Sequence, residues 1–197
     1  MEKISRQQAI ERAERTGSLA GCDFSGVNLA GLDLIAVDFR GSLFRGAKLA
    51  ETNLCGSRLD DAELAGCALD SANATGAVFR GARLARADLS HSTFIGADFS
   101  GADLTGADFS NANLRAANLT AATLTGADLR RANLNGTDFA AADLGGADLR
   151  GAFIGETRLV AVDLEGADLR GASFGQADAA RARTAGARFG ALDSAGP

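Results

Sequence analysis

From Leu19 to Phe189 every fifth residue belongs to one apolar series, and the series never slips. It has 35 positions, of which 31 are Leu or Phe; the exceptions are Ala74, Ile154, Ala179 and Thr184. A period of five is neither the 3.6 of a helix nor the 2 of a strand. A backbone unit of fixed length must therefore return one large side chain to the interior each time, the signature of a repeat architecture. The unbroken phase argues for one continuous domain in the 197 residues.

Around each central Leu or Phe the unit has a constant grammar. Two residues earlier the side chain is small, as at Ala97, Ala102, Ala107 and Ala112, with Val27, Leu32 and Val37 as larger early variants. One residue earlier stands Asp or Asn in most units, as at Asp98, Asp103, Asp108, Asn113 and Asn118. Gly follows two residues after the centre in about half of the units, so residues 96–115 read GADFS-GADLT-GADFS-NANLR. The small and large positions flank one polar residue, so both face the same side of a short extended segment. The residues after the centre must bend the chain, a task suited to Asx and Gly. A chain that bends every five residues winds into a coil with its Leu/Phe ladder inside. Successive coils then stack as parallel strands about 4.8 Å apart.

These residues resemble the pentapeptide-repeat family, whose consensus is A(D/N)LXX. The resemblance covers residues 17–191, with residues 1–16 before it and a short tail at 192–197 after it. It implies an all-β fold, a right-handed quadrilateral parallel β-helix with four pentapeptides per coil. About nine coils would then make a rod of roughly 40 Å at the parallel-strand spacing. Residues 20 apart would sit above one another. Phe39, Phe79, Phe99 and Phe139 would share one interior column, and Ala74 and Ile154 another with Phe94 and Phe174.

At the N-terminus, residues 4–16 read as a short helix. Ser5 and Gln8 form a capping-box pair, Gly17 is a C-terminal stop, and Ile4, Ala9, Ile10 and Ala13 supply a thin apolar side. Its expected role is to cover the open end of the coil, where strand edges would otherwise be exposed. At the other end the core tapers through Ala179 and Thr184, and Arg181, Arg183 and Arg188 cluster. Charged edges oppose end-to-end association, whereas the family resemblance admits a homodimer joined through the C-terminal coils.

The sequence points away from catalysis. It has one histidine, His91, at a variable outward position, and its GxGxxG-like spacings precede no helix and read as turns. Cys22 and Cys67 occupy the small interior slot and Cys55 is expected at the surface; none has metal spacing, and no disulfide is expected. No enzyme activity, no cofactor and no metal are expected. No stretch reaches the roughly 20 apolar residues of a membrane span, and the charged N-terminus lacks a signal-peptide core. A cytoplasmic location, with no membrane and no direct nucleic-acid partner, is the expectation.

The outward positions, sorted at a spacing of 20, separate into distinct faces. One carries Asp88, Asp108, Asp128, Asp148 and Asp168 above one another, with Arg130, Arg150 and Arg170 in a parallel row. Like charges about 4.8 Å apart repel by about 0.9 kcal/mol per pair even in bulk water. The arginines are expected to neutralise the upper part of this column and to leave Asp88 and Asp108 as an acidic patch. Another face is almost neutral, with Asn53, Asn73, Thr93, Asn113 and Asn133, and it also carries Ile35, Ile95 and Phe153. Phe153 stands in the usual Asp/Asn slot.

Two functional classes follow. The first is a scaffold or adaptor that binds another protein along a flat face, with the Asp and Arg rows, Ile95 and Phe153 as candidate contacts. The second comes from the resemblance, because some family members mimic DNA, bind type II topoisomerases and confer quinolone resistance or self-immunity. B-DNA carries one negative charge per about 1.7 Å, so a 40 Å mimic would need roughly two dozen. From residue 17 onward there are 22 acidic and 16 basic residues, a net of −6. The projecting loops and C-terminal dimerisation helix of the gyrase-binding members have no counterpart in this sequence. The scaffold therefore ranks first.

Overall fold

The computed structural model describes residues 1–190; residue 191 and the tail at 192–197 lie outside the described residues. Parallel bridges join the Asp/Asn slots of residues 20 apart along the repeat, as in Asp98↔Asn118, Asp103↔Thr123, Asp108↔Asp128 and Asn113↔Asn133. Four pentapeptides thus complete one coil, and each coil pairs with the next.

One pentapeptide explains why the pattern persists, because all five of its backbone donors find a partner. Ala97 N donates to Phe94 O at 3.0 Å and closes a four-residue bend. Asp98 N donates to Ala77 O of the coil before (2.9 Å), while Phe99 N and Gly101 N donate to Asn118 O (2.7 Å) and Thr120 O (3.0 Å) of the coil after. The remaining donor, Ser100 N, has no backbone acceptor and is taken by Asp98 Oδ1 at 3.0 Å. The Asp/Asn slot is therefore an Asx turn repeated once per unit. At the bend the third residue is left-handed, with Gly96 at φ 64, the mark of a type II turn. Ala121 (φ 55) and Arg131 (φ 58) adopt the same conformation without glycine's freedom, which costs an L-residue about 1–2 kcal/mol.

Inside, the Leu/Phe ladder is fully buried from Leu19 to Leu169. Ring contacts depend on which aromatics fall in adjacent coils. Phe79 and Phe99 stack at 4.6 Å and 9°, and Phe24 and Phe44 stack at 4.8 Å and 12°. Phe39, Phe79, Phe99 and Phe139 share one column as expected, but within it only Phe79 and Phe99 stack. Leu59 separates Phe39 from Phe79, and Leu119 separates Phe99 from Phe139. Phe94 meets three other rings edge-on, Phe79 at 6.0 Å, Phe99 at 5.2 Å and Phe109 at 5.8 Å.

The small slot also holds buried hydroxyls that reach back to the preceding coil. Ser92 Oγ donates to Leu69 O at 2.7 Å and accepts from Ala72 N at 3.0 Å. Ala72 N already donates to Leu69 O at 3.1 Å. Removing the hydroxyl leaves that pair bonded to each other. Ser92→Ala is accordingly expected to change stability by less than about 1 kcal/mol in urea unfolding, whereas a lone buried donor would cost about 1–3 kcal/mol.

Before the first coil, a strand β1 (Glu2–Lys3) precedes helix α1 (Arg6–Thr16). β1 pairs in parallel with β2 (Cys22–Asp23), adding a rung that the sequence pattern did not announce. The helix starts at Arg6 rather than residue 4, because Ile4 is still extended and donates its N–H to Asp23 O at 3.1 Å. Ser5 and Gln8 form the reciprocal capping box, and Gly17 ends the helix at φ 65. Ile4 and Ala9 are buried in the core cluster, and Ala13 packs against it. Arg6 anchors the helix by donating to Asn28 O and Ala30 O at 2.8 and 3.1 Å. Farther along, β3 (Asp168–Leu169) pairs in parallel with β4 (Arg188–Phe189). Ala179, Thr184 and Phe189 are exposed there, as the taper suggested. Arg183, however, is ion-paired with Asp163 (2.6 Å) and Glu165 (3.1 Å). The C-terminal cluster of three arginines is therefore partly neutralised.

Candidate partner-binding faces

The aspartate face assembles as the 20-residue spacing requires: Asp88, Asp108, Asp128, Asp148 and Asp168 are successive bridge partners. Each Oδ1 first accepts the N–H two residues on, from Ser90, Ser110, Arg130, Arg150 or Arg170. The arginines add side-chain bonds to the same carboxylates. Arg150 Nη2 and Arg170 Nη2 lie 2.6 Å from Asp148 and Asp168, and Arg130 is paired with Asp128 in the same way. Arg130 Nε also lies 3.7 Å from Asp148, the next carboxylate along. The row is therefore a ladder of alternating charge, which removes the like-charge repulsion of the bare column.

Titration follows from this geometry. The Arg170 guanidinium beside Asp168 holds its carboxyl down at about 2, and Arg150 lowers Asp148 in the same way. For Asp128, partial burial pushes upward but the bonds from Arg130 outweigh it. A carboxylate depressed in the folded state supports the fold above its unfolded pKa and loses that contribution as pH falls through the folded value. The urea midpoint is thus expected to be flat above about pH 4 and to drop toward pH 2. Arg170→Ala should make that drop smaller.

Asp88 and Asp108 lack an arginine partner, as their Ser90 and Ser110 neighbours foretold. Asp88 instead accepts from Ser90 Oγ at 2.7 Å. Among the described residues Asp70, Asp103 and Asp143 are likewise outside the ion pairs. Several other outward charges are paired, including Arg40–Asp38 at 2.6 Å and Arg80–Asp98 at 2.6 Å.

The asparagine face is also one continuous column, running Asp33, Asn53, Asn73, Thr93, Asn113, Asn133, Phe153 and Ser173 through parallel bridges. Its asparagines cap the N–H two residues on, as Asn113 does for Arg115 and Asn133 for Asn135, both at 3.2 Å. Phe153 cannot supply this acceptor to Gly155. Its ring points outward and is 52% exposed, and Ile35 is 53% exposed. Ile95 is only half-buried, a weaker candidate than its position suggested. Cys55, expected at the surface, is also half-buried, with its thiol near Asn73 O, whereas Cys22 and Cys67 are buried. Burial pushes the Cys67 thiol up to about 12, so it is an inert core group.

Two residues after Phe153, at Gly155, the chain enters a shallow recess of about 470 Å³ lined by Arg115, Asn135, Gly155, Glu156, Gly175 and Gln176. None of these six was singled out from the sequence. The available signal was Gly155 and Gly175 in the variable position directly after the centre, where the preceding coils of this face carry side chains. Among the described residues no cluster of three or more His, Cys, Asp or Glu could hold a metal ion, and no helix is long and apolar enough to cross a membrane.

A family model described as pentapeptide repeats matches in eight copies, over residues 18–46, 38–73, 47–84, 82–120, 117–153 and 157–190. The chain belongs to the pentapeptide-repeat family. That family is generally non-catalytic. Among solved structures, this pentapeptide-repeat chain is similar to a trypsin-treated form of QnrB1, a plasmid-mediated fluoroquinolone resistance protein. The two share 24% identity over 95% of this chain and 87% of that one, with a TM-score of 0.64. HetL, a pentapeptide-repeat protein involved in heterocyst differentiation regulation from the cyanobacterium Nostoc sp. strain PCC 7120, is 27% identical. That match covers 93% of this chain and 96% of HetL at a TM-score of 0.42. The likeness to QnrB1 describes the fold. No curated protein matches in sequence.

Proposed function

We propose that this chain is a non-enzymatic protein-interaction solenoid, a right-handed quadrilateral β-helix that binds a partner protein along its asparagine face in the cytoplasm. One observation carries the reading: Phe153 replaces a structural Asx turn with an outward, 52% exposed ring on a face almost free of charge. Exposed aromatics surrounded by neutral polar groups are typical interface anchors. The paired charges on neighbouring faces offer a partner little net field.

Continuity of the face provides the test. Deleting Gly101–Thr105 removes one whole pentapeptide, so every unit keeps its grammar but Phe153 moves a quarter of a coil away from Ile35 and Ile95. Circular dichroism is expected to show a folded protein. Affinity capture from the source cell's lysate is expected to lose the partner recovered by the intact chain. Undiminished capture would overturn the use of the whole face.

A second reading is favoured by acids outside the ion pairs, among them Asp70, Asp88, Asp103, Asp108 and Asp143. They support a DNA mimic that engages a type II topoisomerase. Inhibition or protection of gyrase supercoiling at micromolar protein, abolished by reversing Asp88 and Asp108 to Lys, would promote this reading. No effect would remove it. Association of two copies through the C-terminal coils is compatible with either reading.

A further inference from the structure

Three departures from the repeat fall in one place on the asparagine face. At Phe153 the Asx acceptor is gone. At Gly155 and Gly175 the side chain after the centre is missing in two successive coils, and the backbones approach closely enough that a Cβ on Gly175 would lie 3.0 Å from Gly155 Cα. At Gly175 the left-handed bend also moves one residue early, with φ 40 there instead of at Gln176. Together they leave a glycine floor near an exposed ring, with the Asn135 side-chain oxygen reaching over Gly155. Two opposite charges also line the recess. Arg115 lies two coils before Gly155, about 10 Å away at the parallel-strand spacing, and Glu156 stands at the adjoining bend. Neither takes part in an ion pair among the described residues, whereas most arginines on the other faces do.

We propose that the recess lined by Arg115 and Glu156, together with the exposed Phe153 ring two residues before its Gly155 floor, binds an extended peptide segment of the partner. Its apolar side chain lies on the Gly155–Gly175 floor against Phe153, its carboxylate side chain meets Arg115, and its cationic side chain meets Glu156. The proposal rests on the protein-interaction reading and specifies the chemistry that is read. A strand advances about 3.3 Å per residue, so the acidic residue stands about three positions from the apolar one on the Arg115 side. The basic residue is adjacent to the apolar one on the Glu156 side. Opposite charges two coils apart give the peptide a direction, because the reversed peptide would set like charges together.

The test is selection from a random dodecapeptide display library on the full-length protein, followed by fluorescence anisotropy with the enriched peptide. The wild type is expected to enrich an apolar residue bracketed by an acid and a base. The double variant Arg115→Glu with Glu156→Arg should enrich the opposite order and bind the wild-type peptide at least tenfold more weakly. Phe153→Asn should also lose at least tenfold while remaining folded. Failure to enrich a motif, or a motif indifferent to the charge reversal, would overturn the proposal. So would binding of an oligosaccharide on a glycan array in place of peptide. The Gly101–Thr105 deletion separates the two levels, because Arg115, Phe153 and Glu156 all lie beyond it and keep their mutual register. Peptide binding that survives this deletion while partner capture is lost supports both levels. Capture lost by the deletion without any peptide motif leaves the face and removes the recess.

Discussion

Phe94→Ala is expected to lower the unfolding free energy by about 3–5 kcal/mol, seen as a shift of the urea midpoint with an unchanged slope. Phe94 is fully buried and meets Phe79, Phe99 and Phe109 edge-on, so truncation opens a cavity among three rings that are themselves held by the coils on either side. The backbone cannot collapse into the gap, because the segment is tied to the coil before through Thr93 N and Ala72 O (2.9 Å) and to the coil after through Phe94 N and Asn113 O (2.7 Å). One coil before Phe94 stands Ala74, a small residue in a series made almost wholly of large ones. Both are buried completely. The pair reads as a division of volume between adjacent levels of one column. Ala74→Leu alone should overpack the site and destabilise by about 1–3 kcal/mol. Combined with Phe94→Leu, it restores two ordinary rungs, and the double variant should be more stable than the sum of the single effects predicts. Strict additivity would show that the two positions share no space.

Phe153→Asn is expected to separate stability from binding. An asparagine can accept the Gly155 N–H as Asn133 accepts that of Asn135, and a recovered hydrogen bond contributes about 0.5–1.5 kcal/mol. Against this stands the lost contact of the half-buried side of the ring, worth about 1 kcal/mol by area. Thermal unfolding should therefore move little in either direction. Partner binding should fall at least tenfold, about 1.4 kcal/mol, as for an aromatic anchor at an interface. A variant that unfolds would mean that the ring supports the coil. One that stays folded and keeps its partner would mean that the anchor lies elsewhere, with Ile35 and the paired faces as the remaining surfaces.

Much of this fold is legible along the chain because the unit is local. Inward and outward positions within five residues follow from strand alternation and one bend, so Ala97, Phe99 and Gly101 announce their places without reference to any distant residue. The outward position of Phe153 was legible for the same reason, as it occupies a slot whose other occupants are polar. The recess beside it was not, because its floor is made by Gly155 and Gly175 from different coils and its charges by Arg115 and Glu156. Nor was the rung formed by Glu2 and Lys3, which has no repeat around it and is recruited by the unpaired edge at Cys22 and Asp23.

By itself the sequence determined the repeating unit, its buried ladder, its polar slot and the helix that begins after Ser5. These depend on side-chain direction, bend chemistry and capping over a few residues. Tertiary structure decided which residues meet across the 20-residue step: the stacking of Phe79 on Phe99, the Arg130 to Asp148 contact, and the glycine floor near Phe153. The period of five is compatible with many ways of closing a coil. Only the pairing of each coil with the next sets the number of sides, and with it the neighbours that every face presents to a partner.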